Sequence, residues 1–408
     1  MSRILPFKGL RPLTELASQV ASLPYDVCSV EEARLYQNNP HHFYHVTRSE
    51  IDLPKGIDVH GAEVYQKAVE NLERMIAEGT MVQDKTSNYY IYQLIMNGRE
   101  QTGLLCASSL EDYKNGTIKK HEFTRPEKEL DRINHIKSTQ AQTGIVFLAY
   151  RNVADIDNLI DQWKNQYEPT YNFVAEDEIT HTIWVVDDAV IVNTITQLFE
   201  EKVPATYIAD GHHRAASAAK VAESFNSTLS QYFLTCIFPE SQLKILDYNR
   251  VVKDLNQLSP EAFLKALEND FDVELIGVEA YRPTKTHEFG LYLSGSWYKL
   301  QAKIDSYIAN DPIQVLDVSI LQNNILSKIL NINDPRTDTR VEFVGGIRGL
   351  QALENIVNSG KMAAAFSCYP VQLSELFEVA DSGLVMPPKS TWFEPKTRDG
   401  LVVYLLKE

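Results

Sequence analysis

The sequence predicts a mixed α/β fold in two lobes. Apolar runs typical of buried strands alternate with helical patterns through the middle of the chain. The strand-like runs lie at residues 144–150, 182–186, 206–209 and 232–238, and the helical patterns at residues 189–200 and 212–225. This alternation favours a layered α/β core.

A turn dipeptide predicts that the sheet is not purely parallel. Residues 89–96 and 103–108 also resemble strands, and Asn97-Gly98 stands between them. Asn-Gly favours the tight turns of β-hairpins, because both residues tolerate a positive φ. We therefore expect antiparallel strands in the same sheet.

The pattern of elements restarts after about residue 255. A capped helix start, two strand-like runs and a long helix follow, at Ser259 and at residues 271–276, 289–294 and 313–329. A chain of 408 residues also exceeds the usual size of a single core. We predict an N-terminal α/β lobe over residues 1–254 and a C-terminal α+β lobe over residues 255–408.

The charge of the chain excludes some classes of partner. Acidic residues outnumber basic ones by 55 to 39, and the formal net charge is −16. Such a surface repels nucleic acid and anionic membranes, so we expect neither as a partner. No apolar run is long enough to span a bilayer, and the first residues lack the apolar core of a signal peptide. We predict a cytoplasmic protein that binds any anion through a local group of positive charges.

The segment Asp210-Gly211-His212-His213-Arg214, called here the DGHHR turn, is the strongest candidate for such a site. It joins a strand-like run to a helical pattern that begins near His212. A helix N-terminus carries partial positive charge and unpaired N–H groups, so basic residues in its first turn destabilise it unless an anion binds there. The alternative is a histidine pair that bonds to Asp210 and to loop carbonyls.

The side chains of the turn suit an anion in different ways. Gly211 lets the backbone approach a ligand closely. Arg214 can grip two oxygens at once, and either histidine can donate one bond or carry a proton.

Four segments of the chain resemble the domain-of-unknown-function 1015 family of bacteria and archaea. They are ADGHHRAASA at 209–218, LPYDVCSVEEAR at 23–34, KHEFTRPEKELDR at 120–132 and MPPKSTWFEPKTRDGL at 386–401. The resemblance implies a ParB/sulfiredoxin-like core, in which a Gly-x-x-Arg turn binds nucleotide phosphates, here through Gly211 and Arg214. Free-serine kinases of that superfamily carry the same DGHHR string and phosphorylate the hydroxyl of L-serine. This chain is longer than those kinases.

The segment around residue 124 predicts a helix start with polar residues just outside it. Thr124 and Glu127 have the spacing of a capping box. That reading leaves His121, Glu122 and Arg125 unexplained, so we take them as candidate site residues, with Glu122 as a general base. The charged residues of the following turns read as a solvated, salt-bridged helix face: Lys128, Glu129, Asp131 and Arg132.

Two further segments offer candidate ligands. Asp26 could bind a metal or hold an active-site arginine; the alternative is a turn-forming role. Lys389, Ser390 and Thr391 offer an ammonium and two hydroxyls in a proline-stiffened loop, which suits a second grip on phosphate. The alternative is a loop that simply closes the fold.

These observations favour a nucleotide-dependent phosphotransferase, or kinase, that acts on a small hydroxylated metabolite. We expect ADP, ATP or CTP as the nucleotide and Mg²⁺ to neutralise its phosphates. Candidate catalytic residues are Glu122, Asp210 and His213; candidate phosphate ligands are Gly211, His212, Arg214, Lys389, Ser390 and Thr391. The alternative is a non-catalytic nucleotide-binding switch of the ParB type, and the net charge makes a nuclease the least favoured function. The metal and the oligomeric state stay open.

Overall fold

A computed structural model describes residues 1–225 and 227–407. The chain forms two compact units: residues 1–243 with 395–408, and residues 244–394. The division predicted after residue 254 lies inside the second unit, because the strand Tyr248–Val252 belongs to the sheet of that unit. The segment from residue 395 belongs to the first unit, where Tyr404–Leu405 pairs with Ala141–Gln142.

The first unit is built on a mixed sheet, which confirms the predicted α/β class. Within the described residues this sheet has nine strands. Eight follow in the order Ile118–Lys119, Thr206–Asp210, Val146–Tyr150, Tyr232–Pro239, Arg99–Ser109, Tyr89–Met96, Thr180–Val186 and Tyr171–Val174, and Ile4–Leu5 pairs with Arg99–Ser109. Two pairs are parallel, Thr206–Asp210 with Ile118–Lys119 and Tyr232–Pro239 with Val146–Tyr150, and the others are antiparallel.

The predicted hairpin is confirmed. Tyr89–Met96 pairs with Arg99–Ser109 in antiparallel register, from Met96 opposite Arg99. Asn97 and Gly98 have φ angles of 51° and 75°, so the turn uses the left-handed conformation that this dipeptide tolerates.

Apolar strand residues and helices form the core of the first unit. Fully buried side chains such as Ile91, Leu148 and Ile208 pack against helix residues that include Phe199 and Ala215. The α-helices of this unit are Ala17–Val20, Val30–Arg34, Tyr44–Thr47, Ala62–Ala77, Leu110–Asn115, Pro126–Thr139, Ala154–Gln166, Ala189–Lys202 and His212–Ala222. Leu10–Pro12 and Met81–Gln83 form a small separate sheet.

The second unit contains an antiparallel sheet of six strands in the described residues. Their order is Phe271–Gly277, Ser296–Ala302, Glu288–Leu293, Ala364–Cys368, Tyr248–Val252 and Val341–Gly345. Ile245–Leu246 pairs separately with Trp392–Phe393. The α-helices are Pro260–Leu267, Asp317–Leu321, Gly349–Asn358 and Leu373–Asp381. Ser259 caps the first of them, as predicted, by accepting a bond from the Ala262 N–H.

The long helix predicted over residues 313–329 is wrong. The α-helix covers only Asp317–Leu321, and the π-helix Gln322–Ser327 follows it. Asp311 accepts bonds from the N–H groups of Ile313 and Gln314, which holds the chain in a turn before the helix. Side chains of this segment donate hydrogen bonds to the backbone carbonyls of Ile332 and Ser306, outside the predicted helix. Such bonds compete with regular helix formation.

Within residues 1–225 and 227–407, no helix has both the length and the apolarity that crossing a bilayer requires.

Candidate functional site: the DGHHR turn and the helix beside it

The DGHHR turn joins the strand Thr206–Asp210 directly to the helix His212–Ala222. Gly211 occupies the N-cap position with a φ of 94°, and no side chain caps the helix. A left-handed residue at this point reverses the chain in a single step, and a glycine N-cap has no side chain to accept a bond from the first N–H groups of the helix.

We predict that Gly211→Ala destabilises the first unit by about 1–2 kcal/mol, because an alanine side chain disfavours positive φ. A Cβ at Gly211 would also lie 3.4 Å from Arg214 Nη1 and from the Val146 Cα. Chemical denaturation measures the free energy of unfolding. Gly116→Ala is the matched control, since Gly116 has a φ of 84° and open space around it. An effect at Gly211 smaller than at Gly116 would contradict the prediction.

A second helix, Pro126–Thr139, lies beside the first and points the same way. The Arg125 N–H donates to His213 Nε2 at 3.0 Å, and one turn further along the Ser217 hydroxyl donates to the Glu129 carbonyl at 3.1 Å. Contacts therefore advance in the same direction along both helices, so the two N-termini are adjacent.

The adjacent N-termini create a local positive potential. No side chain caps the helix Pro126–Thr139 at its N-cap, Arg125, either. Each helix N-terminus acts as about half a positive charge, and two of them side by side repel each other. An anion bound in front of both would relieve that repulsion and accept bonds from the free N–H groups.

The Arg214 side chain lies behind the turn and is only 7% exposed. Its Nη1 donates to the Ile145 carbonyl, and its Nη2 lies 3.0 Å from Asp26 Oδ1 and 3.7 Å from Asp210 Oδ2. Burial alone would lower the pKa of Arg214, but the nearby carboxylates raise it, so the guanidinium stays charged. Gly144 makes room for it, because a Cβ there would lie 3.2 Å from Arg214 Cδ.

Asp210 links the turn to a lysine from the end of the first unit. Lys396 Nζ lies 3.5 Å from Asp210 Oδ2. Burial opposes ionisation of Asp210, but Lys396 and Arg214 outweigh it and hold the pKa of this carboxyl below its usual value. The turn is therefore flanked by two fixed cations and two carboxylates, those of Asp26 and Asp210.

The histidines of the turn are uncharged near neutral pH. Burial lowers the pKa of His212 well below its usual value and lowers that of His213. His213 Nε2 accepts the bond from Arg125, which leaves Nδ1 to carry the proton of the neutral ring. Histidine at this turn can thus donate or accept hydrogen bonds, while the fixed positive charge comes from Arg214 and Lys396.

The segment before the second helix brings His121 and Glu122 to His212. The rings of His121 and His212 meet edge to face at 4.6 Å, and the His121 N–H donates to His212 Nε2 at 3.5 Å. His212 Nδ1 lies 3.8 Å from Glu122 Oε2. Burial lowers the pKa of His121 to about 4. Glu122 is itself exposed, which leaves its carboxylate accessible to a ligand.

Of two sequence expectations about the second helix, one is wrong and one holds only in part. The capping box does not form, because the helix begins after Arg125 rather than after Thr124. Of the face expected to be solvated and salt-bridged, Lys128 is exposed and the salt bridges form, but Glu129 is only 5% exposed and Arg132 9%. Arg132 bonds to Asp131 and stacks on the ring of Tyr25 at 3.8 Å, so these charges line the interior of the unit.

A small cavity lies behind Arg214. The space open to the centre of a water molecule is about 20 Å³, which suits a single water. It is lined by Tyr25, Arg132, His135, Ile136, Gln142, Thr143, Gly144, Val146, Arg214 and Asp399. Asp399 was not among the sequence candidates, although it lies in a segment that carries the family resemblance.

The predicted residues Lys389, Ser390 and Thr391 belong to the second unit. Lys389 has a φ of 57°, and its Nζ lies 5.7 Å from the centre of the Tyr248 ring. The Ser390 hydroxyl donates to the Pro387 carbonyl at 2.6 Å. A role for these three residues in phosphate binding stays a prediction.

The described residues contain no group of three or more His, Cys, Asp or Glu side chains arranged to hold a metal ion. Asp26 and Asp210 nevertheless fit the usual binding of Mg²⁺, which takes one or two protein carboxylates together with waters and the phosphates of a nucleotide.

Comparison with known proteins gives remote structural likenesses and no curated relative. The search of curated proteins finds no match. A free serine kinase in complex with AMP is 12% identical, over 73% of this chain and 92% of its own, with a TM-score of 0.35. A conserved hypothetical protein from Pyrococcus furiosus is 14% identical, over 74% and 95%, with a TM-score of 0.36.

SbnI from Staphylococcus aureus, with a C-terminal truncation, is 11% identical, over 74% of this chain and 87% of its own, with a TM-score of 0.38. TM-scores below 0.5 carry no argument about activity, so any function has to be argued from the side chains of this site.

The family comparison matches residues 4–319, more than half of the chain, to the model described as a protein of unknown function, DUF1015. The matched range includes the DGHHR turn and the segment around Glu122. The chain therefore belongs to the DUF1015 family.

Proposed function

We propose that this protein is a cytoplasmic, nucleotide-dependent phosphotransferase that acts on a small hydroxylated metabolite. Its core would be of the ParB/sulfiredoxin-like type, in which a Gly-x-x-Arg turn binds nucleotide phosphates. The proposal joins two lines of support: the DGHHR string shared with free-serine kinases, and the geometry of the turn in this chain.

The observation that carries the proposal is the pair of adjacent, uncapped helix N-termini. The Arg125 N–H contacts His213 across them, and no side chain caps either helix. Phosphate is the anion that suits this arrangement best, because several oxygens can accept bonds from both helices at once. Asp26 and Asp210 balance the charges of Arg214 and Lys396, so the positive potential of the site comes from the helix N-termini.

The surrounding side chains fit the roles that phosphoryl transfer needs. Arg214 is fixed behind the turn by Asp26, and Lys396 lies beside Asp210. Cations held in this way stabilise charge on a transferring phosphoryl group without having to reorganise. Glu122 is exposed close to His212 and can orient an acceptor hydroxyl.

Asp26 and Asp210 would hold a magnesium ion that enters with the nucleotide. When bound, Mg²⁺ neutralises charge on the phosphate oxygens and draws electron density from them. Both carboxylates also contact Arg214, so their hold on a metal would depend on the position of that side chain.

A thermal-shift series tests the nucleotide site. We expect one of MgADP, MgATP or MgCTP to raise the melting temperature, with about 2.7 kcal/mol of stabilisation at a hundredfold excess over its dissociation constant. Lys396→Ala removes a cation from the turn and should weaken that shift. Phosphorus NMR with L-serine and glycerol as acceptors then measures transfer.

Lys202→Ala is the matched control for this series, because Lys202 pairs with Asp155 on the surface of the same unit. It should leave the nucleotide effect unchanged. A wild-type protein that no nucleotide stabilises would exclude the proposed site. Stabilisation without transfer to any acceptor would favour the non-catalytic switch.

A further inference from the structure

Asp399 is a buried carboxyl group without a hydrogen-bond partner of normal geometry. It is 1% exposed, and neither carboxyl oxygen has a hydrogen bond of normal geometry among the described residues, although the Ile145 N–H interacts with the carboxyl group. An unpaired buried carboxylate is strongly unfavourable, so a native fold that keeps one needs an explanation such as a catalytic role. The carboxyl group lines the small cavity behind Arg214, next to the turn proposed to bind phosphate.

The backbone holds Asp399 rigidly. Its N–H donates to the Ser22 carbonyl at 2.9 Å, and its own carbonyl accepts from the Ser22 N–H at 3.1 Å. Gly400 follows with a φ of 87°, and a Cβ there would lie 2.6 Å from the Phe43 ring. The Asp399 backbone is therefore held in place beside the cavity.

The cavity lies beside the turn, because Arg214 and Val146, which line it, are also the residues that a Cβ at Gly211 would contact. Arg214 Nε is also buried without a hydrogen-bond partner, and it lines the same cavity. One water molecule in the cavity could donate to Asp399 and accept from Arg214 Nε, which would satisfy both groups. The opposite side of the Arg214 guanidinium contacts Asp26, which is partly exposed.

We propose that Asp399 is the proton acceptor of the phosphoryl transfer proposed above, and that it acts through one water molecule in this cavity. The acceptor hydroxyl loses its proton to the water, which passes a proton to the Asp399 carboxylate. The hydroxyl oxygen forms a bond to the transferring phosphorus. The phosphorus–oxygen bond to the nucleotide breaks, and its electron pair leaves with the nucleotide phosphate.

The charges around Asp399 suit this role near neutral pH. Burial raises its pKa to about 7; Asp26 also raises it, whereas Arg214, Arg132 and the Ile145 N–H lower it. A pKa close to the working pH is the most effective value for a group that takes up and releases a proton. The titratable and charged groups that face it are Tyr25, Asp26, Tyr44, Tyr92, Arg132, His135 and Arg214.

The test compares Asp399→Asn with the wild type, using MgADP or MgATP as donor and L-serine or glycerol as acceptor. We expect kcat to fall by about 10²–10³-fold, because a proton acceptor is lost. The dissociation constant of the nucleotide should change less than about threefold, since the cations of the turn remain. The wild-type rate should rise with pH through one titration near neutrality, and the variant should lose that dependence.

Asp112→Asn is the matched control, because Asp112 is a buried carboxylate of the same unit that binds Arg3 instead. It should keep the wild-type pH profile. A variant Asp399→Asn with kcat within threefold of wild type, or with nucleotide affinity lost together with kcat, overturns the proposal. Because the proposal rests on the proposed function, the failures must differ: a wild type that binds no nucleotide, or that binds it without transfer, refutes that function, whereas a wild type that transfers no faster than Asp399→Asn refutes only the role of Asp399.

Discussion

Arg214→Ala should abolish the nucleotide-dependent rise in melting temperature and also destabilise the unliganded protein by about 3–5 kcal/mol. The guanidinium is the buried partner of Asp26 and Asp210, so its removal leaves Asp26 without its cation and Asp210 with Lys396 alone. It also removes a bond to the Ile145 carbonyl. Denaturation with and without MgATP measures both effects.

Arg11→Ala separates the two effects of the Arg214 substitution. Arg11 forms a half-buried ion pair with Asp84 at 2.7 Å in the same unit, and its other partner is Tyr171. This variant should lose stability but retain the nucleotide effect. If MgATP stabilises Arg214→Ala as strongly as it stabilises the wild type, Arg214 does not bind the phosphates.

Asp399→Asn should make the protein more stable than wild type at pH 8, by up to about 4 kcal/mol, and this gain should vanish near pH 4. The pKa of Asp399 is raised to about 7 in the folded protein, above the value of about 4 in an unfolded chain. Between pH 4 and pH 7 the carboxyl group is ionised in the unfolded chain but still protonated in the folded protein. The free energy of unfolding therefore falls as the pH rises toward 7. Asparagine cannot ionise and therefore avoids the loss.

Melting temperatures of both proteins between pH 4 and pH 9 check this difference. Asp112→Asn should instead be less stable than wild type at pH 8, because it weakens the ion pair with Arg3. A lower stability of Asp399→Asn at pH 8 would contradict the prediction, because it would mean that the ionised carboxylate has stabilising partners in the folded protein. Higher stability with lower activity is the usual consequence of removing a strained active-site group.

The strand–turn–helix around Asp210–Arg214 could be predicted from the sequence because it is local. An apolar run, a glycine and a small-residue helix are adjacent in the chain, and each limits the conformation of the next. The Asn97-Gly98 hairpin was predictable for the same reason. The contacts of His121 and Glu122 with His212 depend on packing between distant segments, and only the resemblance grouped those residues.

The burial of charged groups could not be predicted from periodicity. Arg132 lies on a helix whose composition is that of a solvated face, yet it stacks on Tyr25 from another part of the chain. Asp399 has no local feature that distinguishes it from a turn residue before glycine. Its isolation follows from Ser22, Gly144 and Arg214, which meet it only in the folded unit.

The first unit is interrupted in the sequence, since residues 395–408 rejoin residues 1–243 after the whole of the second unit. Val403 pairs with Leu10, and Asp399 pairs with Ser22, so segments almost 400 residues apart close the same unit. When a ribosome has reached residue 394, it has not yet added Lys396 or Asp399 to the chain. A product that stops before residue 396 would thus lack two charges of the proposed active site, and translation through the second unit would have to precede any activity.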